Sequence, residues 1–322
     1  MGRYFTVRLL HGLFLVVGVS VLTFALLQLA PGDFFAEMRL NPQMTPESVA
    51  ALRHQYGLDR SVVTRYLLWI NSVRKGELGF SFAYDSPVAS LLWARARNTL
   101  LLTMSAMLLS WLIAVPVGVV CAAKSGGWYD RLCSSATSSL LAVPDLLVAL
   151  GLLFLAVRTG WFPTGGMVST GFNELGSWDK VRDVASHFCL PVAALVLGTV
   201  PVFERHVRAG VVEVLASPFI RAARAHGIPR RRLLALYALR GAAVPLISLF
   251  GLSITTLLSG SLLVEVVMSW PGMGPLLWEA VLARDLYVVV GAVMCSTLFL
   301  VGGNMVADVL LFAVDPRIRS GG

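Results

Sequence analysis

Three carboxylates, Asp145, Glu265 and Asp308, stand within or close to long apolar runs. An ionised carboxylate in such surroundings is costly, so it marks a proton or ion pathway or a satisfied structural contact. Asp145 follows Pro144, and the plainer role there is a bond to a backbone amide that the proline frees. For Asp308, near one end of its run, the plainer role is pairing with an arginine. Glu265 is close enough to the end of its run to reach the membrane interface. A stand-alone proton-coupled carrier would have to use Asp145 or Asp308 as its relay, whereas the structural roles need fewer assumptions.

Other chemistry is missing. No lysine follows a glycine, so the phosphate-binding loop G-x-x-x-x-G-K-[ST] is absent. His11, His54, His187, His206 and His226 never form H-E-x-x-H or another close ligand pair. Cys121, Cys133, Cys189 and Cys295 sit in or beside apolar runs without paired spacing, as small buried hydrophobes do. No nucleophile and base stand out. The expectation is a non-enzymatic chain without catalytic residues, metal or cofactor of its own.

The elements holding these residues are hydrophobic. Of 322 residues, 57% are hydrophobic and 14% charged, well away from the near-quarter charged share of soluble domains. A net charge of +8 raises the question of nucleic acid, but the basic residues cluster beside apolar spans and act instead as orientation signals. The pattern predicts an all-α integral membrane protein, a bundle of six transmembrane helices in one domain covering 1–322.

The spans are expected at 9–30, 99–122, 133–157, 188–203, 242–267 and 286–312. The first is too long for a signal h-region and lacks a small-x-small cleavage site. Residues 31–97 are polar enough to form a small extracytoplasmic insertion. Within it Thr45-Pro46-Glu47 starts a helix, Gly57 stops it, and an amphipathic helix follows from Ser61. That helix either offers a surface to another protein or shields the bundle. Helix is expected to continue beyond 203 through Val214. In the fifth span Gly251, Thr255 and Ser259 recur every fourth residue, with Ser248 and Thr256 nearby. Small residues at that spacing let helices pack closely or line a polar passage. Inside segments are rich in arginine, which places both termini in the cytoplasm.

Residues 217–240 form a basic segment with helix punctuation of its own. Ser217 is an N-cap and Pro218 a first helical residue. Phe219 to Ala225 continue the helix, and Gly227 supplies its left-handed stop. Pro229 starts a second helix with Arg230, Arg231 and Arg232 in its first turn, where cations oppose the helix dipole. A loop needed only for orientation does not need to be a rigid knob; a docking surface does.

Arg221-Ala222-Ala223, followed after three residues by Gly227, resembles the cytoplasmic loop of ABC-importer permeases. There the triplet is Glu-Ala-Ala, and the missing Glu resembles the peptide and nickel branch. The resemblance extends over nearly the whole chain through Thr23-Phe24 to Pro31-Gly32-Asp33, Tyr56-Gly57-Leu58-Asp59, Gly76 to Ser81, Val143-Pro144-Asp145, Pro163-Thr164-Gly165-Gly166, Ser269 to Gly274 and Asp315 to Arg319. It implies a half-channel in a bacterial cytoplasmic membrane, with cytoplasmic coupling helices. It also implies a homologous second permease subunit, two cytoplasmic ATPases that bind the ATP, and an extracytoplasmic substrate-binding protein. Phe219, Arg221, Ala222, Ala223 and Gly227 would then meet the ATPase. The implied cargo is di- or oligopeptides, with nickel or another small solute as alternative. The proton-coupled carrier and a membrane-anchored scaffold remain as readings from other classes.

Overall fold

The computed structural model describes residues 2–29, scattered positions between 45 and 60, and residues 61–314; of these, the side chains of 2–5, Gln28, Leu252, Thr255 and Val314 are not described. The expectations at Pro31-Gly32-Asp33, at Pro46, at Tyr56 and Leu58, and at Asp315 to Arg319 lie outside the described residues. Gly57 is described, and it turns with φ 65°.

Among the described residues the regular structure is helical apart from one small hairpin. Helix α1 covers Gly2–Leu29 and α2 covers Val62–Val73; strands β1 (Phe80–Ser81) and β2 (Ser86–Pro87) pair antiparallel. Then follow α3 (Val88–Ala123), α4 (Trp128–Leu141), α5 (Asp145–Thr159), α6 (Ser177–Leu215) and α7 (Pro218–Ala225). Helix α8 spans Arg230–Gly241 with a π-helical stretch at Leu233–Ala238, and α9 (Ala243–Val267), α10 (Met273–Leu282) and α11 (Leu286–Val314) complete the chain.

Among the described residues, four helices are long and apolar enough to cross a membrane: α1 over Thr6–Leu27, α3, α6 and α11 over Leu286–Ala313. Two bent pairs bring the count to as many as six, α4 with α5 at 95° and α8 with the start of α9 at 56°. The first bend falls inside the segment expected at 133–157. Pro144 has no N–H to donate and disfavours helix at Val143, so α4 stops at Leu141 and Asp145 opens a new helix. Helices α3 and α6 begin well before the segments expected at 99–122 and 188–203, and α6 continues to Leu215. Their polar ends stay helical because a helix may project past the hydrocarbon zone once its apolar middle is placed.

Two compact units emerge, one of Gly2–Thr99 and Pro271–Val301, the other of Leu100–Trp270 and Gly302–Gly322. In the first, α2 lies on α1 through Phe24 and Trp69, which pack with Val290. Ser61 caps α2 by accepting from the Thr64 amide, and the Tyr66 hydroxyl meets Ser20 Oγ at 2.7 Å. The opposite face leaves Val63 and Leu67 exposed. The hairpin is fastened by buried Asp285, whose Oδ2 accepts from Ser81 Oγ at 2.7 Å and from the Ala83 amide at 3.2 Å.

In the second unit α6 is the spine, with its apolar face buried among α4, α5 and α9. Trp270, fully buried, closes the far end of α9. Its amide donates to the Glu265 carbonyl and its ring lies 5.4 Å from Phe188.

Candidate functional site

Helix α7 is short, yet both its ends are fixed. Pro218 sits at its first turn, where a missing N–H costs nothing. At its end Gly227 adopts φ 78°, its amide donates to the Arg224 carbonyl, and the Ile228 amide reaches back to Ala223. This is a Schellman stop, and it needs a residue comfortable at positive φ. Ile220 is wholly buried and pins one face. At 100° per residue, Pro218, Ala222 and Ala225 centre the opposite face, flanked by Phe219 on one side and Arg221 on the other. Phe219, Arg221 and Ala222 are all exposed, while Ala223 is half-buried.

The roots of this knob are tied to the helices around it. Val207 and Val211 of α6, Ala238 of α8, Ala242, and Ala122 of α3 form one buried cluster. Arg208 of α6 holds Asp130 of α4 with both arms of its guanidinium, and Asp130 also accepts from the Gly126 amide at 2.9 Å. Arg230 donates to the carbonyl of Ala123, an acceptor that the end of α3 leaves without an intrahelical partner. That bond gives one of the three first-turn arginines a partner despite the unfavourable dipole.

Deeper in the same unit a cleft of about 270 Å³ runs between α6 and α9, with Asp145 at its edge. Its α9 wall is the stripe Ser253, Thr256, Gly260 and Val264; its α6 wall includes Leu195, Gly198, Thr199 and Phe203. The Asp145 carboxylate makes no bond to a nearby amide among the described residues, so the local contact expected beside Pro144 is not formed. Gly198 is close to it: a Cβ there would lie 2.6 Å from Oδ1.

Comparison with known proteins places this geometry. The family profile "Binding-protein-dependent transport system inner membrane component" matches residues 114–320, and its N-terminal companion, "Binding-prot-dependent transport system membrane comp, N-term", matches 1–103. The chain belongs to this family of transport-system inner membrane components. It is 33% identical to the oligopeptide transport system permease protein AppB of Bacillus subtilis, over 99% of this chain and 100% of that one. It is 34% identical to the dipeptide transport system permease protein DppB of Escherichia coli K12, over 94% of each. A chain of the inward-facing MetNI methionine ABC transporter shares the fold, with TM-score 0.55 and 18% identity over 70% of this chain and 96% of that one.

Within this inner membrane component the other candidate residues are dispersed. Gly251 packs against α11, where a Cβ would come within 2.0 Å of Ala307 Cβ. Ser248 bonds its own helix through the Val244 carbonyl, Ser259 is exposed, and the Thr255 side chain is outside the described residues. Glu265 is completely buried and Asp308 nearly so. Neither is among the residues lining the Asp145 cleft.

Several residues of the permease escaped sequence reasoning. Asp130 of α4 and Glu204 of α6 are both buried on helices at the root of the knob. Ile220 stands out only once α7 is drawn as a helix. Outside the spans, Tyr84 donates to Glu279, and its phenol is pushed up to about 12, first by burial and then by that carboxylate.

Proposed function

We propose that this chain is the membrane-spanning permease subunit of an ATP-driven importer of di- or oligopeptides. It forms half of the path together with a homologous second subunit. Two cytoplasmic ATPases and an extracytoplasmic binding protein complete the machine. Six crossings of a bacterial cytoplasmic membrane, counting each bent pair once, leave both termini and α7 on the cytoplasmic side; residues 31–97 form an external insertion in a single permease domain. The arginine-rich flanks of residues 205–240 support that orientation. The names of the relatives support peptide cargo over nickel or another solute.

The observation that carries the reading is a capped helix with one buried residue, Ile220, and an exposed face of Phe219, Arg221 and Ala222. Such a knob fits a cleft on an ATPase, with Ala223 and Gly227 holding its angle. When the ATPases close on ATP, the knob moves as a body and passes the displacement to α6 and α9. Those two helices wall the cleft, so their movement changes access to it. The ATP-bound state of the ATPases must bind one arrangement more tightly than the other for this to work.

Affinity purification of the assembled complex tests the assignment. Ala223→Glu or Gly227→Pro should strip the ATPase and abolish peptide uptake, with the chain still inserted in membranes. Retention of the ATPase by both variants would show that α7 is not the dock.

A further inference from the structure

We propose that Asp145 is a recognition point for a protonated amine in the cleft between α6 and α9, the natural ligand being the terminal ammonium of a passing peptide. The ligand's identity rests on the importer reading above; the preference for a cation does not.

The cleft is lined chiefly by aliphatic and aromatic side chains, and no lysine or arginine is among its lining residues. Asp145 is its sole carboxylate. Other polar groups there are already engaged. Thr199 Oγ1 bonds Ser110 Oγ at 2.7 Å and the Leu195 carbonyl at 2.8 Å. Ser253 Oγ donates to the Phe250 carbonyl at 2.6 Å. The Asp145 carboxylate, by contrast, has neither a hydrogen bond nor an ion pair among the described residues, and it is solvent-exposed at the cleft.

An unpaired carboxylate beside apolar walls can lower its energy by protonation, by hydration, or by meeting a cation. Asp145 is the first residue of α5, where unsatisfied amides and the helix dipole stabilise an anion. Space is also kept around it. Gly198 has no side chain where a Cβ would collide with Oδ1, and Gly260 stands at 4.0 Å from Oδ2 by the same construction. A carboxylate that needed only to be satisfied structurally would have a donor on α6 or α9. Here two glycines on those helices face it instead. An opening of about 270 Å³ takes one end of a peptide rather than a whole oligopeptide, which suits a contact made in passing.

Two measurements on the reconstituted complex test this. In a variant with the four native cysteines replaced, Thr256→Cys places a thiol on the cleft wall. An ammonium-bearing alkylthiosulfonate should label it about tenfold faster than the sulfonate-bearing analogue, reflecting the local negative potential. Asp145→Asn should bring the ratio close to one, and Asp145→Glu should restore most of it. A ratio indifferent to Asp145→Asn overturns the proposal. In the second measurement, Asp145→Asn should lower uptake of a peptide with a free amino terminus severalfold per ATP hydrolysed. Uptake of its N-acetylated form, delivered at saturating binding protein, should not change. Equal loss for both peptides, or loss only of the response to an imposed pH gradient, overturns the amine assignment. If no peptide is transported by the native complex while the labelling contrast persists, the importer reading fails and the cation site stands.

Discussion

Arg208 and Asp130 are joined two ways, Nε to Oδ1 at 2.5 Å and Nη2 to Oδ2 at 2.8 Å, across helices that are 78 residues apart in sequence. The carboxylate is nearly buried and the guanidinium partly so, which makes this pair different from a screened surface contact. Removing one partner leaves the other desolvated and unpaired. Arg208→Gln or Asp130→Asn should therefore destabilise the chain by about 2 kcal/mol, the worth of a charge-assisted bond of this kind. Arg208→Lys should recover little, because an ammonium cannot span both oxygens. Thermal melting of the detergent-purified complex checks this; a melting temperature unmoved by Asp130→Asn would remove the pair from the account of how α4 is held to α6.

Gly251 and Ala307 define a second contact, where α9 and α11 approach with no space for a methyl group. Gly251→Ala should cost about 1–3 kcal/mol through overpacking. Ala307→Gly should relieve most of that in the double variant. Ser259→Ala, on the exposed part of the same stripe, should be close to neutral. Expression level and melting temperature in the same detergent distinguish the two positions, and equal effects at Gly251 and Ser259 would mean that the stripe faces something else.

What the sequence made legible follows how local each signal is. Pro218 and Gly227 bracket α7 because a missing amide hydrogen and a positive φ are properties of single residues. The face of α9 was not legible. That helix is apolar nearly all round, so nothing in its periodicity chose Ser253 and Gly260 over Gly251 and Ser259 for the cleft wall. The break at Pro144 was visible as a proline, but its 95° angle depends on how α4 and α5 pack on α6. Asp285 had no local signature, because its partners Ser81 and Ala83 lie some two hundred residues away.

Tyr84 offers a check on the hairpin by pH. Its phenol donates to Glu279 only when protonated, and its pKa is raised from 10.0 to about 12. A raised pKa means that the contact's contribution is fully present below pH 10 and is lost as pH climbs through about 12. The difference in alkaline tyrosine absorbance between the native chain and Tyr84→Phe should show one component titrating near the upper value. Glu279→Gln should move that component down only part of the way toward 10, because burial, the larger cause, remains. A component already near the lower value in the native chain would mean that the Tyr84–Glu279 contact is not made in solution.

Helix α7 allows stability and docking to be separated. Ile220 is wholly buried and Phe219 is half exposed at 49%, although they are adjacent. Ile220→Ala removes packing beneath the helix, with a cost of about 2–5 kcal/mol for a buried isoleucine, though local give in so short an element brings it toward the lower figure. Its consequence should be a loosened α7, seen as faster amide exchange over 218–226. Phe219→Ala leaves the buried side untouched and should keep native exchange rates, while ATPase affinity drops about tenfold or more, as expected when an exposed aromatic is a contact hot spot. If Phe219→Ala changes exchange but not ATPase binding, then the ring serves α8 through its neighbour Tyr237, at 6.3 Å, and the outward face is not the one that docks.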